Sequence, residues 1–196
     1  MTVAGIVLAA GAGQRYGGPK ALAHFDGRTL VARSVSTLRD GGCAPIIVVL
    51  GAAAREVTAA ADFDATVAVN NAWQTGLSSS LRSGLAAADK STAAAALIAL
   101  VDQPLVTPAC VARLVAAFES GATAVVATYG GQPRNPALFA RPVWSAVAAS
   151  ASGDSGARLW LQAHPNQVTQ IECGDIAAAD DMDTPQDRAR LTGRLR

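Results

Sequence analysis

Residues 7–22 read VLAAGAGQRYGGPKAL, an apolar run that opens into four glycines and two cations, Arg15 and Lys20. Glycine lets a backbone approach an anion closely and turn its N–H groups toward it, while Arg and Lys add charge-assisted hydrogen bonds. The combination suits a triphosphate. The chain holds 16 Lys plus Arg, yet its only lysines are Lys20 and Lys90, so a lysine in this loop stands apart from a surface built on Arg. The plainer reading is a tight strand-to-helix turn with solvated cations. A second feature is LVDQPLVTP, residues 100–108, where Asp102 directly follows an apolar run. A carboxylate there can hold Mg²⁺, which combines one or two carboxylates with substrate phosphates; alternatively, Asp102 opens an Asp-x-Pro turn. Third is DDMDTPQDRARL, residues 180–191, in which Thr184 can cap a helix with Pro185 at its first position and Asp187 completing a capping-box-like pattern. Asp183 is left outside that cap. Asp180, Asp181 and Asp183 read equally as a solvated acidic loop favoured by the helix dipole.

Two familiar glycine loops can be tested against residues 11–21. The Walker pattern G-x-x-x-x-G-K-[ST] has its glycine interval at Gly13 and Gly18, but Pro19 precedes Lys20 and Ala21 replaces the magnesium-binding hydroxyl. The dinucleotide fingerprint G-x-G-x-x-G fails at Tyr16, with Gly17 one place late, and Gly51 stands where an acidic residue should close the second strand.

These residues need elements to position them. Six short apolar runs predict buried parallel strands at 5–10, 46–50, 66–69, 96–101, 122–128 and 168–173. Helical patterns lie between them at 30–38, 53–61, 80–88, 108–118, 143–150 and 157–163, with a last helix from Pro185. Alternation of this kind predicts an α/β fold, three-layered and doubly wound on a mostly parallel, Rossmann-like sheet, with ligands at the carboxyl ends of the strands. At 196 residues, the chain fits one domain spanning 1–196.

Composition narrows the function. Hydrophobic residues make up 51%, but no apolar run approaches the ~18 residues of a membrane span, and the N-terminus lacks a basic region before its apolar run. The expectation is a cytoplasmic protein without membrane partners. Cys43, Cys110 and Cys173 are odd in number and widely spaced, which argues for reduced structural thiols rather than a disulfide framework or zinc site. A net charge of +1 without a basic stripe argues against nucleic acid. His24 and His164 match no ligand or base geometry.

The segment Leu8 to Lys20, L-A-A-G-x-G-x-R-x-G-G-P-K, resembles the signature of the MobA-like nucleotidyltransferases, and within them the molybdenum cofactor cytidylyltransferases. The resemblance extends over nearly the whole chain. It implies that Leu8, Ala9, Ala10, Gly11, Gly13, Arg15 and Lys20 bind the nucleotide. The segment NNAWQTGLSSSLRSGL, residues 70–85, is similar to the part bordering the base, with Asn70, Gly76, Ser79 and Ser80 as binding residues; serines at a helix start also serve as caps. Asp102 and Asp183 would be the metal ligands, with Arg15, Lys20 and Asp102 catalytic. GQPRNPALFARPVW and SGDSGARLWLQ resemble the acceptor-side segments, which assigns acceptor binding to Asn135, Pro136, Asp154, Gly156 and Arg158. Arg134 departs from the family, which more usually has Gly there, and Asp154 or Ser155 also reads as a cap for the following helix.

The resemblance implies transfer of CMP from CTP onto a phosphorylated pterin-type acceptor, molybdopterin, with Mg²⁺ as cofactor, pyrophosphate as product and a molybdoenzyme as client. Ala10 and Gly18-Pro19-Lys20 look like the cytidylyl-type loop, whereas guanylyl-type members show L-A-G-G and an acid before the Lys. A phosphate monoester is already largely ionised at neutral pH, so no general base is needed, in keeping with the lack of a His or Cys nucleophile motif. Rival readings are a sugar- or polyol-phosphate nucleotidyltransferase, an NAD(P)H-dependent oxidoreductase acting on a heteroaromatic compound, and a catalytically silent nucleotide-binding subunit.

Overall fold

Seven of the apolar and proline-bearing segments hydrogen-bond into one sheet in the computed structural model, which describes residues 1–195. Among these residues the elements are β1 (Val3–Ala9), β2 (His24–Phe25), β3 (Arg28–Thr29), α1 (Leu30–Asp40), β4 (Ile46–Leu50), α2 (Ala54–Ala60), β5 (Thr66–Val69) and α3 (Leu77–Ala88). Then come β6 (Ala95–Leu100), α4 (Pro108–Glu119), β7 (Ala124–Tyr129), β8 (Gln132–Ala140), α5 (Trp144–Ser150), α6 (Arg158–Ala163), β9 (Val168–Glu172) and α7 (Pro185–Thr192). The sheet order is β5-β4-β1-β6-β8-β7-β9, with β2 and β3 forming a separate small hairpin. Every pairing in the main sheet is parallel except those of β8, which runs against both β6 and β7.

Strand alternation builds the three layers. In β1, Val3 and Val7 face one core with Leu30, Leu38 and Leu114, while Ala4, Ile6 and Leu8 face the other with Leu81, Trp144 and Trp160. Helices α1, α2, α4 and α7 thus cover one face of the sheet, and α3, α5 and α6 the other. Because both faces are covered, the central strands are apolar at every position, which is why they read as unbroken runs.

Strand β8 is the departure from the sequence reading, which placed only an acceptor segment at 131–144. Pro133 and Pro136 argue against a central strand because proline cannot donate to a ladder. The structure accommodates them at an irregularity: Val126 pairs with Ala137 and Ala127 with Arg134, so Asn135 and Pro136 stand outside the register. A two-residue turn at Gly130 and Gly131, both with positive φ, joins β7 to β8. Such a turn matches the twist of a hairpin and dictates the antiparallel direction. Glu172 pins its base, accepting from the Gly130, Gly131 and Gly174 N–H groups and the Thr128 hydroxyl. These bonds, led by the Gly131 N–H, bring its carboxyl down to about 2.

Candidate active site

Strand β1 delivers its last residue to the carboxyl edge of the sheet, and residues 10–19 form the loop beyond it. The Gly13 carbonyl accepts from the N–H groups of Tyr16, Gly17 and Gly18, closing the loop on itself. The N–H groups of residues 12–15 find no partner among the described residues, so these, rather than those of the later glycines, are available to an anion. The loop ends in a short 3₁₀ turn, Lys20–Leu22, whose buried Ala21 fixes the root of the Lys20 side chain.

Lys20 reaches back to two acids. Its Nζ lies 2.8 Å from Asp102 Oδ2 and also contacts Asp183 Oδ1, with only 15% of the Lys20 side chain exposed. Arg15, at 3.1 Å from Asp183 Oδ2, adds a second cation from the solvent side. Burial alone would push the Lys20 ammonium down, but Asp102 and Asp183 outweigh it and hold its pKa above the ordinary lysine value.

The acids converge from distant parts of the chain for identifiable reasons. Asp102 sits where β6 ends, after Val101 donates to Leu8. The Asp183 segment is tied to it by the Met182 N–H on the Asp102 carbonyl at 2.8 Å, and Met182 itself is fully buried. Beyond it the expected capping box is present: Thr184 Oγ1 accepts from Asp187 N, and Asp187 Oδ2 accepts from Thr184 N. The Asp183 carboxylate takes no part in the cap and points to the cations. Asp181, which the sequence places only in a solvated acidic loop, accepts from Gln103 Nε2 at 3.0 Å. Burial, with the like charges of Asp102 and Asp183, holds its pKa above the usual aspartate range.

Around this cluster lies a cavity of about 780 Å³. Leu8, Ala9, Ala10, Gly11, Gly13, Arg15, Lys20, Ser80, Asp102 and Asp183 all line it, joined by Trp73, Leu77 and Asp181. Asn70, Gly76 and Ser79 do not. Asn70 is buried behind the wall, donating to the Ser79 and Ser80 hydroxyls at 2.8 and 3.0 Å, and so orients Ser80. Gly76, at φ +103°, lets residues 153–154 pack against the start of α3, where an added Cβ would fall 2.5 Å from the Gly153 oxygen.

A second cavity of about 730 Å³ shares Leu8, Leu77, Leu100, Asp154 and Asp181 with the first. Asn135, Asp154, Gly156 and Arg158 line it, as do Arg134 and Gln103; Pro136 does not. Asp154 caps a helix, though not the one that follows it. Its Oδ1 accepts from Leu77 N at 3.1 Å, and the Gly153 carbonyl accepts from Ser78 N at 2.9 Å, so this loop supplies the N-terminal cap of α3. His164 stacks on Trp160 with ring centroids 4.5 Å apart, and Cys43, Cys110 and Cys173 are buried free thiols, two of them, Cys43 and Cys173, pushed up to about 12 by burial.

Among the described residues no three His, Cys, Asp or Glu side chains form a group that could hold a metal ion, and no helix is long and apolar enough to cross a membrane. Asp102 and Asp183 nevertheless fit a hard divalent cation. Both already converge on one positive charge, both offer oxygen donors, and a phosphate-bound magnesium ion needs only one or two protein carboxylates.

A doubly wound sheet that brings a glycine-rich loop with unpaired N–H groups, paired cations and paired carboxylates to its carboxyl edge, beside a second cavity, has the layout of an NTP-dependent transferase. The sequence agrees: residues 5–168 match the MobA-like NTP transferase domain, and the chain belongs to that family. It is 40% identical to the nicotine blue oxidoreductase of Paenarthrobacter nicotinovorans, over 96% of both chains. It is similar to the crystal structure of a Mycobacterium sp. strain JC1 homologue of Mycobacterium tuberculosis Rv0371c, at 33% identity and a TM-score of 0.83, covering 99% of this chain and 98% of that one. A structure of Rv0371c from M. tuberculosis H37Rv in complex with manganese is 28% identical, with a TM-score of 0.77 over 98% of this chain and 99% of that one.

Proposed function

We propose that the protein transfers CMP from CTP to a phosphorylated acceptor of the molybdopterin kind in the cytoplasm, releasing pyrophosphate in a Mg²⁺-dependent reaction. The observation that carries this reading is the convergence of Arg15, Lys20, Asp102 and Asp183 on one cavity wall, with a second cavity directly alongside. An oxygen of the acceptor phosphate attacks the α-phosphorus; the new P–O bond forms as the bond to the β-phosphate oxygen breaks, and pyrophosphate leaves with that electron pair. No proton need be removed from the attacking oxygen at neutral pH. What the protein supplies is position and charge. Lys20 is kept protonated by its two acids and presents a fixed positive charge to the triphosphate, and the N–H groups of residues 12–15 and Arg15 add donors along it. Asp102 and Asp183 would hold Mg²⁺, which supplies further charge neutralisation at the phosphates when bound. The CTP preference rests on the cytidylyl-type loop at Ala10 and Gly18-Pro19-Lys20.

A pyrophosphate-release assay across the four NTPs, with and without molybdopterin, tests the reading. Activity is expected with CTP, Mg²⁺ and molybdopterin together, and a fall of about 10²–10³ in kcat in Asp102→Asn, the scale of losing one charge-stabilising group. Release with GTP alone overturns the base preference, and none in any combination removes the reading. The second reading, reduction of a heteroaromatic compound by a reduced nicotinamide, is favoured by the 40% identity to the Paenarthrobacter oxidoreductase. NADPH oxidation that needs no metal and survives Asp102→Ala would support it.

A further inference from the structure

Trp73 lines the first cavity, and among the described residues no other aromatic side chain does. The chain's other two tryptophans, Trp144 and Trp160, are core residues at 5% and 2% exposure, whereas Trp73 is only half-buried, packed on one side against the core beneath α3. Its segment is held firmly. Asn70 Oδ1 accepts from Ala72 N at 2.9 Å, and the Ala72 carbonyl accepts from the Thr75 and Ser79 hydroxyls at 2.7 and 3.0 Å. The Trp73 carbonyl accepts from Gly76 N at 3.2 Å, closing a 3₁₀ turn over Trp73–Thr75. Gly51 completes the seat: a Cβ there would fall 2.6 Å from Trp73 Cβ, 2.8 Å from its Cγ and 2.6 Å from the Ala10 oxygen, so only a bare backbone lets the root of the indole rest beside the glycine-rich loop. Ala9, Ala10, Gly11 and Ala12 line the same cavity with nothing larger than a methyl group, while Arg15 and Lys20 supply its positive charge. An aromatic wall beside small residues, with cations in the same cleft, suits a ligand that joins a flat ring to an anion.

We propose that Trp73 is the platform on which the nucleobase of the triphosphate stacks. The proposal rests on the reading of the first cavity as the nucleotide side. It also gives work to Asn70 and Ser79, which do not line the cavity: they are positioning residues that fix the turn carrying the indole. Stacking adds affinity without choosing a base, because every base has a π-face. Trp73 therefore holds the nucleotide, and the choice among bases falls to other groups.

The probes are CTP and inorganic tripolyphosphate, which keeps the anionic chain and lacks the ring. Calorimetric titration without metal or acceptor reads binding apart from transfer. Trp73→Leu should weaken CTP about tenfold, the scale of one lost stacking contact, and leave tripolyphosphate within roughly twofold of the intact protein. Trp73→Phe, which keeps a ring, should recover most of the CTP affinity. Because Trp144 and Trp160 are buried, CTP should also quench the tryptophan emission of the intact protein and tripolyphosphate should not. Unchanged CTP binding in Trp73→Leu, an equal loss for both probes, no recovery in Trp73→Phe, or no quenching by CTP overturns the proposal. If neither probe binds the intact protein, the nucleotide reading falls and the proposal with it. Trp73-dependent CTP binding without pyrophosphate release would sink the transfer reading alone.

Discussion

Replacing Gly76 by Ala should cost far more than the loss of a glycine ordinarily does. At φ +103° and ψ 178° Gly76 occupies backbone space that essentially only glycine enters, and a side chain there costs about 1–3 kcal/mol. The new Cβ would also lie 2.5 Å from the Gly153 oxygen, 2.6 Å from the Gly153 carbonyl carbon and 2.7 Å from Asp154 Oδ1. Backbone cannot rotate aside as a side chain would, so residues 153–154 must withdraw by most of an ångström. That motion breaks the 2.9 Å bond from Ser78 N to Gly153 O and the 3.1 Å cap from Leu77 N to Asp154, each worth about 1 kcal/mol. The whole cost comes to about 3–5 kcal/mol, a large fraction of the stability of an ordinary domain. Gly121 provides the control, because its φ is +105° with nothing within 4 Å of an added Cβ, so Gly121→Ala carries the backbone penalty alone. Urea unfolding of both variants isolates the difference. If Gly76→Ala is no less stable than Gly121→Ala, the packing of residues 153–154 on α3 is not what requires the glycine.

Two further perturbations probe the supports of the site. Met182→Ala should destabilise the protein by about 2–5 kcal/mol, as expected for a fully buried side chain, and should also slow pyrophosphate release in the folded fraction because Asp183 loses its anchor; a change below about 1 kcal/mol in urea would contradict that role. Glu172→Gln probes the hairpin base. With a folded-state pKa of about 2 against an ordinary 4.5, ionised Glu172 stabilises the fold above pH 4.5, and that contribution is lost as pH falls toward 2. The melting temperature of the variant should therefore lie below that of the intact protein near neutrality and converge with it at about pH 2, whereas a constant gap across the range would disprove the linkage.

Much of this architecture could be read from local chemistry. Strands β1, β4 and β6 were legible because strands covered on both faces are uninterrupted apolar runs, and α7 because Thr184, Pro185 and Asp187 spell its start. The expected start of α3 at Ser80 is corrected to Leu77, because its cap comes from Asp154, far away in sequence, and no local pattern reveals that. Strand β8 was hidden by its two prolines, although Gly130-Gly131 after an apolar run is a hairpin signal in its own right. The loop, Asp102 and Asp183 were visible as types and positions, but the ammonium between the two acids was not. Trp73, Gln103 and Asp181 could not be found from sequence, since what marks them is the space they border.

Strand β8 runs against its neighbours, so its beginning rather than its end reaches the working edge of the sheet. Ala137 pairs with Ile98, which sets Pro133, Arg134 and Asn135 level with the end of β6 and with Asp102. The segment that borders the second cavity is therefore delivered by a hairpin with its own fastening at Glu172, while the glycine-rich loop hangs from β1. Changes in the hairpin can alter what lies opposite the acid pair without disturbing residues 10–20. The loop after β1 and the wall of the second cavity thus hang from different parts of one sheet, so each can vary without the other.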